Sequence, residues 1–260
     1  MLSAAVETAG HLGIEAPQAL LAGDIGDGKG SRAIYRHLVE KSDEIEASIL
    51  ALHYLQPVMG LMKKVVESLG RKRSKPLLVA DAGSMYAAKA AGIATAFDVF
   101  TPDAAEMAFL ADLRATHPAY IASHLLTSGN EDVASMVESA YGHGNAARVL
   151  VVKGSRDLVV ENGDILHVVE APDLPAMEAI GGTGDTITGM IAAFLSAGME
   201  PHQAAVFASR ANRTAGEYAH ARPDTRIEEI IGQIRPVLRE HLRRWSETGT
   251  VPKEEGEGDD

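Results

Sequence analysis

Apolar residues arrive in short unbroken runs, and each run is followed by a stretch with helical spacing. "QALLAG" (18–23), "SILALHY" (48–54), "PLLVADAG" (76–83), "AFDVFTP" (96–102) and "ARVLVVKG" (147–154) read as buried strands. Between them, 31–41, 57–70, 85–92, 103–113 and 131–142 read as helices. Pro57 suits a helix's first turn and Gly92 a helix's end. Continuous apolar strands alternating with helices predict a parallel sheet covered on both faces. At 157–169, "DLVVENGDILHVV" sets "ENGD" between two β-rich runs, which predicts a hairpin. Beyond it the chain reads as helical over 184–198, 202–221 and 227–245, with a kink expected at Pro236. The pattern predicts a three-layer α/β/α domain over 1–246, with a mainly parallel central sheet and a C-terminal helical run. No repeat and no linker interrupts it.

Composition narrows the chemistry. The 260 residues contain no cysteine, which excludes disulfides, thiolate nucleophiles and thiolate-bound metals. The formal net charge is −12, and the acidic tail over 247–260 is expected to be disordered. An acidic body argues against nucleic acid and anionic membrane as partners. No apolar run approaches the ~20 residues a bilayer span needs. The first residues, "MLSAAVETAGHLG", lack a basic n-region, so a cytoplasmic enzyme is expected. The "NRT" sequon at Asn212 falls in a helical pattern and reads as chance.

Parallel sheets bind ligands outside the carboxyl ends of their strands. That rule gathers Gly23 to Lys29, His53 with Tyr54, Asp81 to Ser84, Thr101 to Glu106, and Lys153 to Ser155. The first group tempts a phosphate-loop reading. "GDIGDGK" (23–29) fits most of G-x-x-x-x-G-K-[ST], and "LLVAD" (77–81) could be its magnesium strand. However, Gly30 stands where a hydroxyl is needed, and Asp24 and Asp27 place carboxylates where phosphates would lie. A strand-to-helix turn bordering the cleft fits better, with Asp24, Lys29 and Ser31 expected on the substrate side. His53 and Asp81 are expected there too.

"GGTGDTITGMIAAFLSAG" (181–198) is more specific. Its glycines let successive amides converge at a helix N-terminus, where partial positive charge favours a phosphate or an oxyanion. Asp185 sits at that point and could take a proton from an attacking hydroxyl. Helix capping by Thr183 or Asp185 is the plainer job, but capping needs no such cluster of glycines.

This stretch resembles the G-[AST]-G-D signature of the ribokinase-like superfamily, and within it the NAD(P)H-hydrate dehydratase branch. "LLVADAGSM" (77–85), "FTPDAAEMAFL" (100–110) and "VLVVKGSRDLVVENGDI" (149–165) are similar to three further segments of that branch, in the same order. The likeness runs from about Lys75 to Ala221. It implies a ribokinase-like fold with Asp185 as catalytic base. Gly182, Thr183, Gly184 and Lys153 would bind phosphate. Glu106, with Asp103 beside it, would organise Mg²⁺ through water. In the first turn of the helix at 103–113 the same two carboxylates would also simply offset the macrodipole.

The implied reaction is phosphorylation of a hydroxyl, using ADP or ATP, on a hydrated nicotinamide ring that then loses phosphate. A small-molecule kinase of the same fold, acting on a sugar or a vitamin precursor, is the alternative. A nucleotide-binding protein with lapsed catalysis is a third reading. A homo-oligomer is implied by resemblance alone.

Departures cluster on the substrate side. "LALHYLQPVMG" (50–60) lacks the branch's G-P-G turn, and "DLPAMEAIGG" (173–182) lacks its Pro-Gly. "GDIGDGKGS" (23–31) stands where the branch has a G-G-S turn. No H-E-x-x-H, G-x-S-x-G or G-x-G-x-x-G pattern is present.

Overall fold

The computed structural model describes residues 1–116 and 133–247. Six strands form one sheet in sequence order: β1 (Ile49–Leu52), β2 (Leu77–Ala80), β3 (Val99–Phe100), β4 (Val149–Val152), β5 (Asp157–Glu161) and β6 (Asp164–Val169). The first four run parallel, and β5 and β6 are antiparallel additions. The β5–β6 turn is Asn162-Gly163, with φ of 53° and 99°, the pair of left-handed residues a tight hairpin turn needs.

Strand side chains alternate between two cores. Leu78, Ala80, Phe100, Leu150 and Val152 point to one face. There they meet α2 (Lys29–Glu40), α3 (Met59–Gly70), α4 (Ala82–Ala90), α5 (Ala104–Ala111) and α6 (Val133–Gly142). Val79, Val99, Val149, Val151 and Val159 point to the other. That face is covered by α1 (Leu2–Leu12), α7 (Thr183–Ser196), α8 (Pro201–Tyr218) and α9 (Ile227–Glu247). Strands buried on both faces explain the continuous apolar runs.

Two expectations need correction, and one helix was not anticipated. "QALLAG" is not a strand: residues 18–23 have no regular structure and are exposed, Leu21 at 80%. The run holds only alanine and leucine between its polar ends, with none of the β-branched residues that suit a pleated surface. The N-terminal stretch forms a helix that apolar spacing did not reveal, because its buried residues are small: Ala4, Ala5, Thr8 and Ala9. It crosses α7 at Gly189, where a Cβ would fall 2.2 Å from the Met1 carbonyl oxygen. Pro57 lies before α3 rather than in its first turn, and Val58 caps the helix. Pro236 does lie inside α9. The expected helix start at 131–132 and the tail from 248 fall outside the described residues.

Candidate active site

The carboxyl ends of β1 to β4 meet the N-terminus of α7. His53 and Tyr54 leave β1, Asp81 leaves β2, Thr101 follows β3 and Lys153 follows β4. Tyr54 and Ala82 hold φ of 52° and 49°, so two adjacent strand ends carry left-handed residues that are not glycine. Such conformations cost of order 1–3 kcal/mol each and concentrate at functional sites.

Asp81 is the buried hub. Its Oδ1 accepts from the Ala82 amide at 2.9 Å and from Lys153 Nζ at 3.2 Å. Its Oδ2 accepts from the Thr188 hydroxyl at 2.8 Å, and Thr188 lies 2.9 Å from Thr101. Asp81 therefore holds Lys153 and α7 rather than facing the cleft alone. Lys153 stays charged because burial, which opposes the ammonium, is outweighed by Asp81 and Glu106.

Gly182 caps α7 with φ of 95°. Thr183 turns its hydroxyl inward, to the carbonyls of Met177 and Ile180. The first-turn amides of Gly184 and Asp185 have no acceptor within the helix and face outward as donors. A Cβ on Gly184 would lie 3.3 Å from Lys153 Nζ. The glycine thus lets the ammonium lie close to the start of α7, and together they form a region of positive potential suited to a phosphate. Asp185 is half-buried beside it. The imidazole of His53, 3.2 Å away, holds its carboxyl below the usual range and ionised at neutral pH, against the effect of burial. Tyr54 lies against the same carboxylate, and burial together with that charge pushes its phenol upward. The half-buried amino group of Met1 is on this side too, pulled down by burial.

Asp103 and Glu106 form a reciprocal capping box at the start of α5. The Tyr86 hydroxyl also donates to Glu106 at 3.0 Å. Burial pushes Glu106 up to about 7. Capping is thus a role of both residues that the sequence reading did not name. Each carboxylate oxygen keeps a second lone pair, so this hard-oxygen set fits Mg²⁺ held through water.

The 24–31 loop meets the segment after β1 through Ser31, whose hydroxyl accepts from the Gln56 amide at 3.0 Å. Yet its amides turn inward. The Asp24 carboxylate accepts from the amides of Gly26, Gly28 and Ser31 and from the Ser31 hydroxyl, at 2.9–3.1 Å. These bonds, Ser31's first, hold its pKa down. The loop is an anion nest filled by its own aspartate. Lys29 is exposed and paired with Asp27 at 2.7 Å.

Thr188, Tyr86 and the buried pair Arg213–Asp157 were not singled out from the sequence. Thr188 had one signal: a threonine three places after Asp185 in an otherwise apolar helix. Among the described residues, no helix is long and apolar enough to cross a membrane.

Solved structures place this architecture. The ADP complex of Bacillus subtilis pyridoxal kinase matches with a TM-score of 0.55 at 17% identity, over 80% of this chain and 81% of that one. Hydroxyethylthiazole kinase from Pyrococcus horikoshii matches at 0.52 and 16%, over 91% and 86%. Fold and site together define a ribokinase-like protein. A family model for NAD(P)H-hydrate dehydratase matches residues 59–233, and the chain belongs to that family. An uncharacterized protein of Methanocaldococcus jannaschii is 35% identical over 243 residues, 94% of this chain and all of that one. The bifunctional NAD(P)H-hydrate repair enzyme of Pyrobaculum aerophilum is 31% identical over 191 residues, 71% of this chain but 35% of its own length.

Proposed function

We propose that this protein is a nucleotide-dependent NAD(P)H-hydrate dehydratase, using ADP or ATP with Mg²⁺. The observation that carries the reading is the convergence of Lys153, the Gly184 and Asp185 amides and the Asp185 carboxylate at one helix end. Asp185, ionised at neutral pH, removes the proton from the substrate hydroxyl as it attacks a phosphoryl group. Lys153 and the two amides stabilise the charge on the transferring oxygens. Mg²⁺, held through water by Glu106 and Asp103, would supply further positive charge to the nucleotide phosphates. Phosphorylation turns the hydroxyl into a leaving group, and its elimination restores the reduced nicotinamide.

His53 and Tyr54, in place of a glycine turn, favour one further reading: a kinase of the same fold acting on another small hydroxyl compound. We assign the enzyme to the cytoplasm as a homo-oligomer, on family resemblance. Incubation of hydrated NADH or NADPH with ADP or ATP tests the main reading. Return of the reduced-nicotinamide absorbance is expected, and accumulation of a phosphorylated product would mark the kinase. No turnover of the hydrates with either nucleotide by folded protein would reject the dehydratase reading.

A further inference from the structure

His53, Asp81 and Asp185 reach one point from β1, β2 and α7. One ligand atom from each lies within 4.8 Å of the other two. His53 Nε2 is 3.2 Å from Asp185 Oδ1 and 4.0 Å from Asp81 Oδ2. Neither contact is aligned as a hydrogen bond, so the fully buried Nε2 has these two carboxylates as charge partners but no hydrogen-bond acceptor. A buried polar atom left this way is costly and calls for an explanation. This one points into the gap between two carboxylates. A metal with bonds of about 2.0–2.2 Å spaces its ligand atoms about 3–4 Å apart, so a small inward shift would close the set.

The surroundings fit a metal as well. Thr188 and Lys153 fix the two oxygens of Asp81 at 2.8 and 3.2 Å, the kind of outer support that orients metal-binding carboxylates. Lys153 and the Met1 amino group are the cations opposing a metal here; Lys153 rests on Oδ1, the oxygen turned away from His53, and burial pulls the Met1 amine toward its neutral form. Asp103 and Glu106 add acidic charge that also acts on Lys153. One imidazole with two carboxylates selects a borderline transition ion. That separates the cluster from the all-oxygen pair Asp103 and Glu106.

The geometry points to a transition-metal site formed by His53, Asp81 and Asp185, taking a divalent ion of the Zn²⁺ or Co²⁺ class with open positions toward the cleft. A substrate oxygen bound there would lose its proton more readily, with the free oxygen of Asp185 still able to accept it. The proposal stands on these three residues and not on the phosphoryl-transfer reading, and its test needs no turnover.

Co²⁺ is titrated into the full-length protein while visible d–d absorption is recorded. Bands saturating at one ion per chain are expected. Affinity should fall at least about tenfold in His53→Gln and in Asp81→Asn, and stay unchanged in Glu106→Gln. Absence of bands in the wild type, or bands unaltered by His53→Gln, overturns the proposal. If His53→Gln fails to fold, X-ray absorption of the Co²⁺-loaded wild type decides. An imidazole in the first shell supports the site, and an oxygen-only shell rejects it.

Discussion

Replacing Asp157 by Asn removes one half of a buried ion pair and keeps its shape. Arg213 Nε donates to Asp157 Oδ2 at 3.0 Å, and its Nη2 donates to the Gly154 carbonyl at 2.8 Å. The Gly154 amide in turn donates to Asp157 Oδ1 at 3.2 Å. The pair therefore clamps the turn that follows Lys153. Both residues are almost wholly buried, at 7% and 3% exposure. Burial pushes the Asp157 carboxyl upward even with the guanidinium beside it, so the intact pair adds little net stability. Half a pair is different. The guanidinium would stay buried without its counter-charge, at about 3–5 kcal/mol. For a chain of this size that lowers Tm by roughly 6–20 °C. Calorimetry and urea unfolding measure it. Adding Arg213→Met removes the stranded charge and should recover at least about 2 kcal/mol, a coupling expected of contacting residues. Asp157→Asn within about 1 kcal/mol of wild type, or a double variant as unstable as the two single losses combined, would refute the reasoning.

Other expectations follow from the same contacts. Gly184→Ala brings a methyl to 3.3 Å from Lys153 Nζ and should weaken nucleotide binding about tenfold, ~1.4 kcal/mol. Its Tm should hold or rise, since alanine favours the helix, and a fall in both would indicate a packing defect instead. Asp24→Ala should lower Tm and admit proteolysis between 14 and 28, with nucleotide affinity unchanged. A gain in phosphate affinity would show that the loop is a phosphate cradle after all. Glu106 is shifted from the ordinary 4.5 to about 7. Between those values the folded state keeps a proton that the unfolded state has lost, so stability falls as pH rises through that window. The whole shift is worth roughly 3 kcal/mol. Glu106→Gln should therefore be more stable than wild type at pH 8 and level with it near pH 4, and thermal unfolding at the two pH values checks the sign.

The alternation of strands and helices was legible because β2 to β4 are buried on both faces and read as unbroken apolar runs. "NG" announced its turn, and "GGTGD" its helix end, since only glycine carries φ of 95° at position 182 without cost. The first helix was hidden because its buried stripe is alanine and threonine, which barely register as apolar periodicity. "QALLAG" misled for the opposite reason: its unbroken apolar run reads as a buried strand but meets no core. The cluster at the site was readable by strand-end rule but not by bonding. Lys153 and Asp81 stand 72 positions apart, and Thr188 and Asp81 stand 107 apart. Only the sheet order brings them together. The self-filled nest of Asp24 depends on backbone angles at Gly26 and Gly28, at 98° and 72°, which a glycine permits but does not dictate.

Asp185→Asn tests the central claim most directly. The variant keeps size and helix position but cannot take a proton. Its rate of nucleotide-dependent return of reduced nicotinamide from the hydrate should fall by at least ~10²-fold, the usual worth of a general base, with nucleotide affinity within a few-fold of wild type. Turnover that survives the substitution would contradict the assignment of Asp185 and the phosphoryl-transfer chemistry built on it.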